Sequence, residues 1–200
     1  MIAPKPQKIA IALFEAVEEL DFAGPWEVLS VWARTWPGDE VTVSTVADTS
    51  EPVMCAKGLR VLPERTWDWA SDIDVLVYPG GRGVMAQLGD EQVRQRLRRL
   101  AAAGTLITSV CTGALAFADA GLLDGRAATT HWSALDDLGE LGRDVQVRSE
   151  ARFVDAGQVI TAAGVSAGID MALYLVARLH SEERAREVRR HIQYDPEPPV

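Results

Sequence analysis

The sequence predicts an α/β fold with a parallel sheet covered by helices on both faces. Two observations predict it. Short apolar runs rich in β-branched residues recur at Lys8–Phe14, Val41–Ala47, Asp74–Tyr78 and Leu106–Val110, which is how strands buried on both faces read. Most are separated by segments with helical spacing, and strands alternating with helices imply parallel crossovers. The 200 residues, 48% of them hydrophobic, suffice for a single domain, 1–200, that buries roughly 70% of its extended surface.

Each element has its own signal. After the Lys8–Phe14 strand, Val28, Leu29, Trp32 and Trp36 share one face of a helix over Phe22–Trp36. Val41–Ala47 is the second strand, and Val53–Val61, with a Lys57-Gly58 turn, reads as a hairpin or an irregular excursion. Asp74–Tyr78 is a buried strand that stops at Pro79-Gly80-Gly81-Arg82-Gly83. A helix over Glu91–Ala103, a strand over Leu106–Val110 and a helix over Gly113–Leu123 follow. Ala127–Thr130 is a short strand and Ala134–Leu141 a weak helix. Val145–Val154 and Gln158–Ala162 read as two strands around the Asp155-Ala-Gly turn. Helices over Val165–Leu179 and Glu183–Tyr194 end the pattern, and Pro196-Glu-Pro-Pro-Val is an extended tail.

Composition excludes several functions. A net charge of −9 repels phosphate backbones, and the arginines in Glu182–Arg190 are interleaved with glutamates, so no nucleic-acid partner is expected. There is no apolar window of about 20 residues and no basic-then-apolar leader, which predicts no membrane partner and a cytoplasmic protein. Two cysteines, Cys55 and Cys111, read as reduced thiols. His131, His180 and His191 are isolated from one another, so neither a metal nor another cofactor is expected. Gly81-x-Gly83-x-x-Ala86 is a loose dinucleotide pattern, but the acidic residue it needs about twenty positions further on is missing from Leu100–Gly104.

Cys111 carries the chemical interest. It lies where the Leu106–Val110 strand turns into the Gly113 helix, with free N–H groups and partial positive charge nearby, a setting that favours a thiolate. The alternative is a buried thiol that only fills space. Ligands collect at the carboxyl ends of parallel strands, where the loops holding Glu15–Trp26, Gly80-Gly81 and Cys111 are expected to converge. Asp21 either caps the helix near Phe22 or presents its carboxyl to the thiol. Thr112 suits both a cap and a ligand contact. Gly80 and Gly81 offer unobstructed N–H groups for an oxyanion. His131, twenty residues after Cys111, is either the base that cysteine enzymes often use or a structural histidine beside Trp132. Cys55 reads as a packing thiol.

The stretches Leu20-Asp-Phe-Ala-Gly-Pro25, Tyr78-Pro-Gly-Gly-Arg-Gly83, Ser109-Val-Cys-Thr-Gly-Ala-Leu115, Ala120–Trp132, Ala163–Asp170 and Gln193–Pro199 together resemble the DJ-1/PfpI superfamily, and within it the bacterial isocyanide hydratases. The resemblance implies a flavodoxin-like three-layer sandwich with a nucleophile-elbow cysteine. It implies Cys111 as nucleophile, Asp21 as acid and base, Thr112 at the substrate, and backbone donors from Gly81 and Thr112. It leaves His131 without a fixed role. The implied reaction is hydration of an isocyanide, a small-molecule substrate, to an N-substituted formamide in a homodimer without a cofactor. The same Cys-Thr-Gly and Thr-Thr-His-Trp stretches occur in amidotransferase-like domains of AraC-type regulators. Glyoxalase-like conversion of reactive aldehydes, and a redox-sensing or ligand-binding role without turnover, are therefore the alternatives. Exposed aromatics such as Trp67 and Trp69 either line the dimer interface or cover their own excursion.

Overall fold

The structure, a computed structural model, describes residues 7–197. The elements in chain order are β1 (Gln7–Ala12), α1 (Glu19–Thr35), β2 (Val41–Ala47), β3 (Val53–Met54), β4 (Arg60–Val61), β5 (Arg65–Thr66), β6 (Val75–Tyr78), α2 (Gly83–Gln87), α3 (Glu91–Ala102), β7 (Leu106–Val110), α4 (Gly113–Asp119), β8 (Ala127–Ala128), α5 (Leu135–Leu141), β9 (Gln146–Val147), β10 (Phe153–Asp155), β11 (Val159–Ala162), α6 (Ala167–Leu179) and α7 (Glu182–His191). The main sheet has the order β10-β11-β7-β6-β1-β2-β5, parallel throughout except for β10. Its central run, β2-β1-β6-β7-β11, is the doubly wound order in which connections part to either side at β1.

Alternation along the strands builds two cores, because successive side chains point to opposite faces. Ile9, Ile11, Val75 and Val77 pack with Leu29 and Trp32 of α1, Met171 and Leu175 of α6, and Val188 of α7. Ala10, Ala12, Leu76 and Ile107 pack with Val84 of α2, Leu97 of α3, Leu115 and Phe117 of α4, and Leu138 of α5. The result is the three-layer α/β sandwich that the sequence predicts. Among the described residues no helix is long and apolar enough to cross a membrane.

Several boundaries differ from expectation. The expected strand over Val145–Val154 is two: β9 pairs in parallel with β8, while β10 runs antiparallel to β11. The polar run Arg148-Ser-Glu between them turns instead, with the Ala151 N–H donated to the Arg148 carbonyl at 3.4 Å. β5 and α2 were not anticipated, since two and five residues are too few to show a period. Trp67 and Trp69 are half-buried against the second core, with the Arg96 guanidinium 4.5 Å and the Lys8 ammonium 4.3 Å from their rings, whereas Val53, Cys55 and Val61 of the excursion pack into the first core, so these tryptophans do not cover it. Residues 198–200 of the expected tail lie outside the described residues.

A polar cluster ties distant segments together under α1. The buried Asp39 carboxylate accepts from Trp32 Nε1 at 2.7 Å and from Arg184 Nε of α7 at 2.7 Å, and His180 Nε2 lies 3.2 Å away. Burial opposes this charge, but the Arg184 and Trp32 hydrogen bonds outweigh it and hold the carboxyl below its ordinary range.

Candidate active site

Three loops meet at the carboxyl end of the sheet and are tied by their own backbone. Glu18 N–H donates to Gly80 O at 2.9 Å, and Val17 forms an isolated antiparallel bridge with Gly81. Gly81, at φ 115, takes a conformation that residues with a Cβ rarely adopt. Gly80 is required for a different reason: a Cβ there would lie 2.6 Å from Thr112 N and Oγ1 and 2.9 Å from Asp21 Oδ2.

Cys111 occupies the corner between β7 and α4 at φ 57, in the left-handed region. Its N–H is shared between the Ala162 and Ala163 carbonyls at 3.2 and 3.0 Å, and its own carbonyl accepts from Thr130 Oγ1 at 2.8 Å. The side chain is 6% exposed. The neighbouring Thr112 and Val165 N–H groups favour the thiolate, but burial first, and then the Asp21 charge, outweigh them and push the thiol up to about 12. The expected low thiolate pKa is therefore corrected: burial beside a carboxyl outweighs the donors of the helix start.

Asp21 is not a cap. Helix α1 begins at Glu19, so Asp21 falls in its first turn and faces inward with no exposed surface. Oδ2 accepts from Gly80 N–H at 2.9 Å, while Oδ1 is buried without a hydrogen-bond partner, and the carboxyl as a whole interacts with the Cys111 thiol. Burial chiefly, with the neighbouring Glu18 charge, raises the carboxyl to about 7 against the pull of the Gly80 N–H. The two acids share one buried space, so placing charge on either disfavours charge on the other.

Thr112 precedes α4 but does not cap it; its hydroxyl accepts from Gly81 N–H at 2.9 Å. Gly80 and Gly81 thus donate their N–H groups to Asp21 and Thr112. The free oxyanion donors expected of this loop are already engaged, and the loop positions the two side chains instead. His131 is half-buried, with Nδ1 2.8 Å from Ser133 Oγ, and its ring lies against Gly164. Val165, missed in the sequence, supplies a donor to the sulfur from a φ of 45. Its only cue is the Gly164-Val165-Ser166 loop after β11, at the same sheet edge. Cys55 is buried in the hairpin, raised to about 11 chiefly by burial and then by Glu19, as befits a packing thiol. A cleft of about 300 Å³ opens nearby between Phe14, Val53 and Gly83, and neither Cys111 nor Asp21 lines it.

A buried thiol at a strand-to-helix corner, set against a carboxyl on a doubly wound sheet, defines a class of α/β proteins with a thiol–acid pair. The chain belongs to the DJ-1/PfpI family, whose model matches residues 7–178. It is 38% identical over 192 residues to the isonitrile hydratase of Pseudomonas putida, covering 96% of this chain and 80% of that protein. It is also 29% identical over 191 residues to the HTH-type transcriptional regulator GbdR of Pseudomonas aeruginosa, covering 95% of this chain but only 51% of the regulator. Among solved structures it resembles a THiJ/PfpI family protein from Pseudomonas syringae at 32% identity and a TM-score of 0.87, covering 99% of this chain and 79% of that one.

Proposed function

We propose that this protein hydrates isocyanides to N-substituted formamides, with Cys111 as nucleophile and Asp21 as the group that moves the proton. The observation that carries the reading is a fully buried carboxyl, raised to about 7, facing a buried thiol. A carboxyl with a pKa near the working pH is suited to give and take protons. The similarity to an isonitrile hydratase supports the choice of electrophile.

A thiol raised by burial meets the substrate protonated, so the Asp21 carboxylate draws the proton from sulfur as the S–C bond forms at the terminal isocyanide carbon. The acid then delivers that proton to the same carbon, and the product is a covalent thioimidate. Water, deprotonated by the carboxylate, adds to the thioimidate carbon. The tetrahedral adduct expels sulfur, which recovers its proton from Asp21 and leaves the imidic acid; transfer of the remaining water proton from its oxygen to nitrogen gives the formamide. No electrons are exchanged. In this reading Thr112, whose hydroxyl accepts from Gly81 N–H beside the corner, steadies the bound substrate. His131, engaged with Ser133, has no step in this scheme.

The test is formamide release together with intact mass. Wild type forms formamide from an aryl or alkyl isocyanide and carries an adduct equal to the whole isocyanide; Cys111→Ala shows neither. Hydration by Cys111→Ala at the wild-type rate refutes the mechanism. Similarity to a regulator along nearly the whole chain favours one second reading, ligand binding or redox sensing without turnover. Adduct or oxidation at Cys111 with no formamide would select it. We include in the proposal a cytoplasmic homodimer; exposed Leu20, Met54, Leu59, Met85 and the 77% exposed Trp132 are apolar surface of the kind an interface covers.

A further inference from the structure

Cys111 is held in the left-handed region by bonds on both sides of its Cα. On the amino side its N–H is fixed by the Ala162 and Ala163 carbonyls at the end of β11. On the carbonyl side one short bond acts, the 2.8 Å donation from Thr130 Oγ1; the Ala114 N–H lies 3.5 Å from the same oxygen. A residue with a Cβ adopts such a φ only where its surroundings enforce it. Thr130 is 1% exposed, beyond the end of β8, and its neighbour Thr129 is fixed to β11 by a buried bond of 2.9 Å from its N–H to Thr161 Oγ1. The segment that brings the Thr130 hydroxyl to the corner is therefore anchored independently of the corner. It also continues into His131, whose ring packs on Gly164 and so backs the loop that turns the Val165 N–H toward the sulfur.

We infer that Thr130 is a positioning residue for Cys111: by holding the Cys111 carbonyl, its hydroxyl keeps the strained corner in the conformation that aims the sulfur at the Thr112 and Val165 N–H groups. The inference rests on Cys111 being the nucleophile but not on the identity of the electrophile. Removing the hydroxyl leaves a buried carbonyl with only the long Ala114 contact, and the corner relaxes toward negative φ. The sulfur then moves off its donors, and the thiolate becomes harder to form. Thr130 touches neither substrate nor sulfur in this scheme; it acts only through the backbone of Cys111.

The test is alkylation of Cys111 by iodoacetamide as a function of pH, read on the Cys111 peptide by mass so that Cys55 does not contribute. Thr130→Val keeps the shape and removes the donor; its alkylation rate falls about tenfold across pH 7 to 9, the equivalent of one buried hydrogen bond. Isocyanide hydration by the variant loses kcat with KM unchanged, and Thr130→Ser restores both rates. A folded Thr130→Val that alkylates at the wild-type rate overturns the inference, as does a folded Thr130→Ser that fails to restore it. Should Thr130→Val not fold, Thr130→Ser against Thr130→Ala decides by the same readout. Because alkylation needs no isocyanide, slowed alkylation in a protein that forms no formamide sinks the hydratase reading and leaves the positioning role standing.

Discussion

Asp21→Asn separates the proton chemistry of Asp21 from its place in the packing. Asparagine retains the shape and an acceptor for the Gly80 N–H, but it carries no charge and moves no proton. The carboxyl releases its proton at about 7 in the fold and near its ordinary value of 3.8 in the unfolded chain. The folded state thus holds the proton longer. The stability this lends is complete below 3.8 and is lost as pH rises through about 7. At about 1.4 kcal/mol per pH unit, the ionised wild type carries a penalty of at most about 4 kcal/mol that the amide does not. Of this, about 1.6 kcal/mol is present near pH 5 and nearly all of it near pH 8. The advantage of Asp21→Asn in melting temperature should widen by roughly 5–10 °C between those conditions, while hydration falls roughly 10²–10⁴-fold. Calorimetry at both pH values and a formamide assay on the same preparations check the two halves. A variant within tenfold of wild-type turnover refutes the proton role. A melting difference that ignores pH refutes the raised carboxyl.

Gly80→Ala should cost about 1–3 kcal/mol in denaturant unfolding and abolish turnover, because its Cβ would displace Thr112 and the Asp21 carboxyl together; unchanged turnover would show that the close approach is not needed. His131→Ala should keep turnover within about tenfold of wild type, since His131 moves no proton in the scheme and acts on the site only by packing against the Gly164 loop. A loss approaching the 10²–10⁴-fold expected of a general base would restore it as one.

The central strands were legible because both of their faces are buried: in Val75–Tyr78 and Leu106–Val110 every residue must be compatible with a dry environment, and the run announces itself. β5 and β9 have two residues each and no such constraint, while the equally short β3 and β4 were legible only through the Lys57-Gly58 turn that joins them. The thiol corner was legible from a strand signal meeting a helix signal at one residue. The role of Asp21 was ambiguous locally because an aspartate before an apolar helix is a good cap, and only the resemblance favoured the site. Tertiary contact with Gly80 moved the helix start to Glu19 and turned the carboxyl inward. The thiol pKa was misjudged for a related reason: the helix start is local and visible, whereas burial against a carboxyl ninety residues upstream is not. Val165 left almost no trace, because what matters there is the direction of an N–H, which any residue other than proline possesses.

The cluster under α1 has a consequence for the order in which the molecule can be completed. Asp39 and Trp32 are synthesised early, yet the guanidinium that neutralises the buried carboxylate comes from Arg184, 145 residues later. Until α7 arrives, the first β-α unit holds an acid in an apolar setting without its counter-charge, and the surrounding layer has reason to remain open and hydrated. Docking of α7 supplies the cation and Val188 in one event, so the face that carries α1 is sealed by the last helix. The Asp21 end of α1 is then held by a layer whose closure waits for nearly the whole chain.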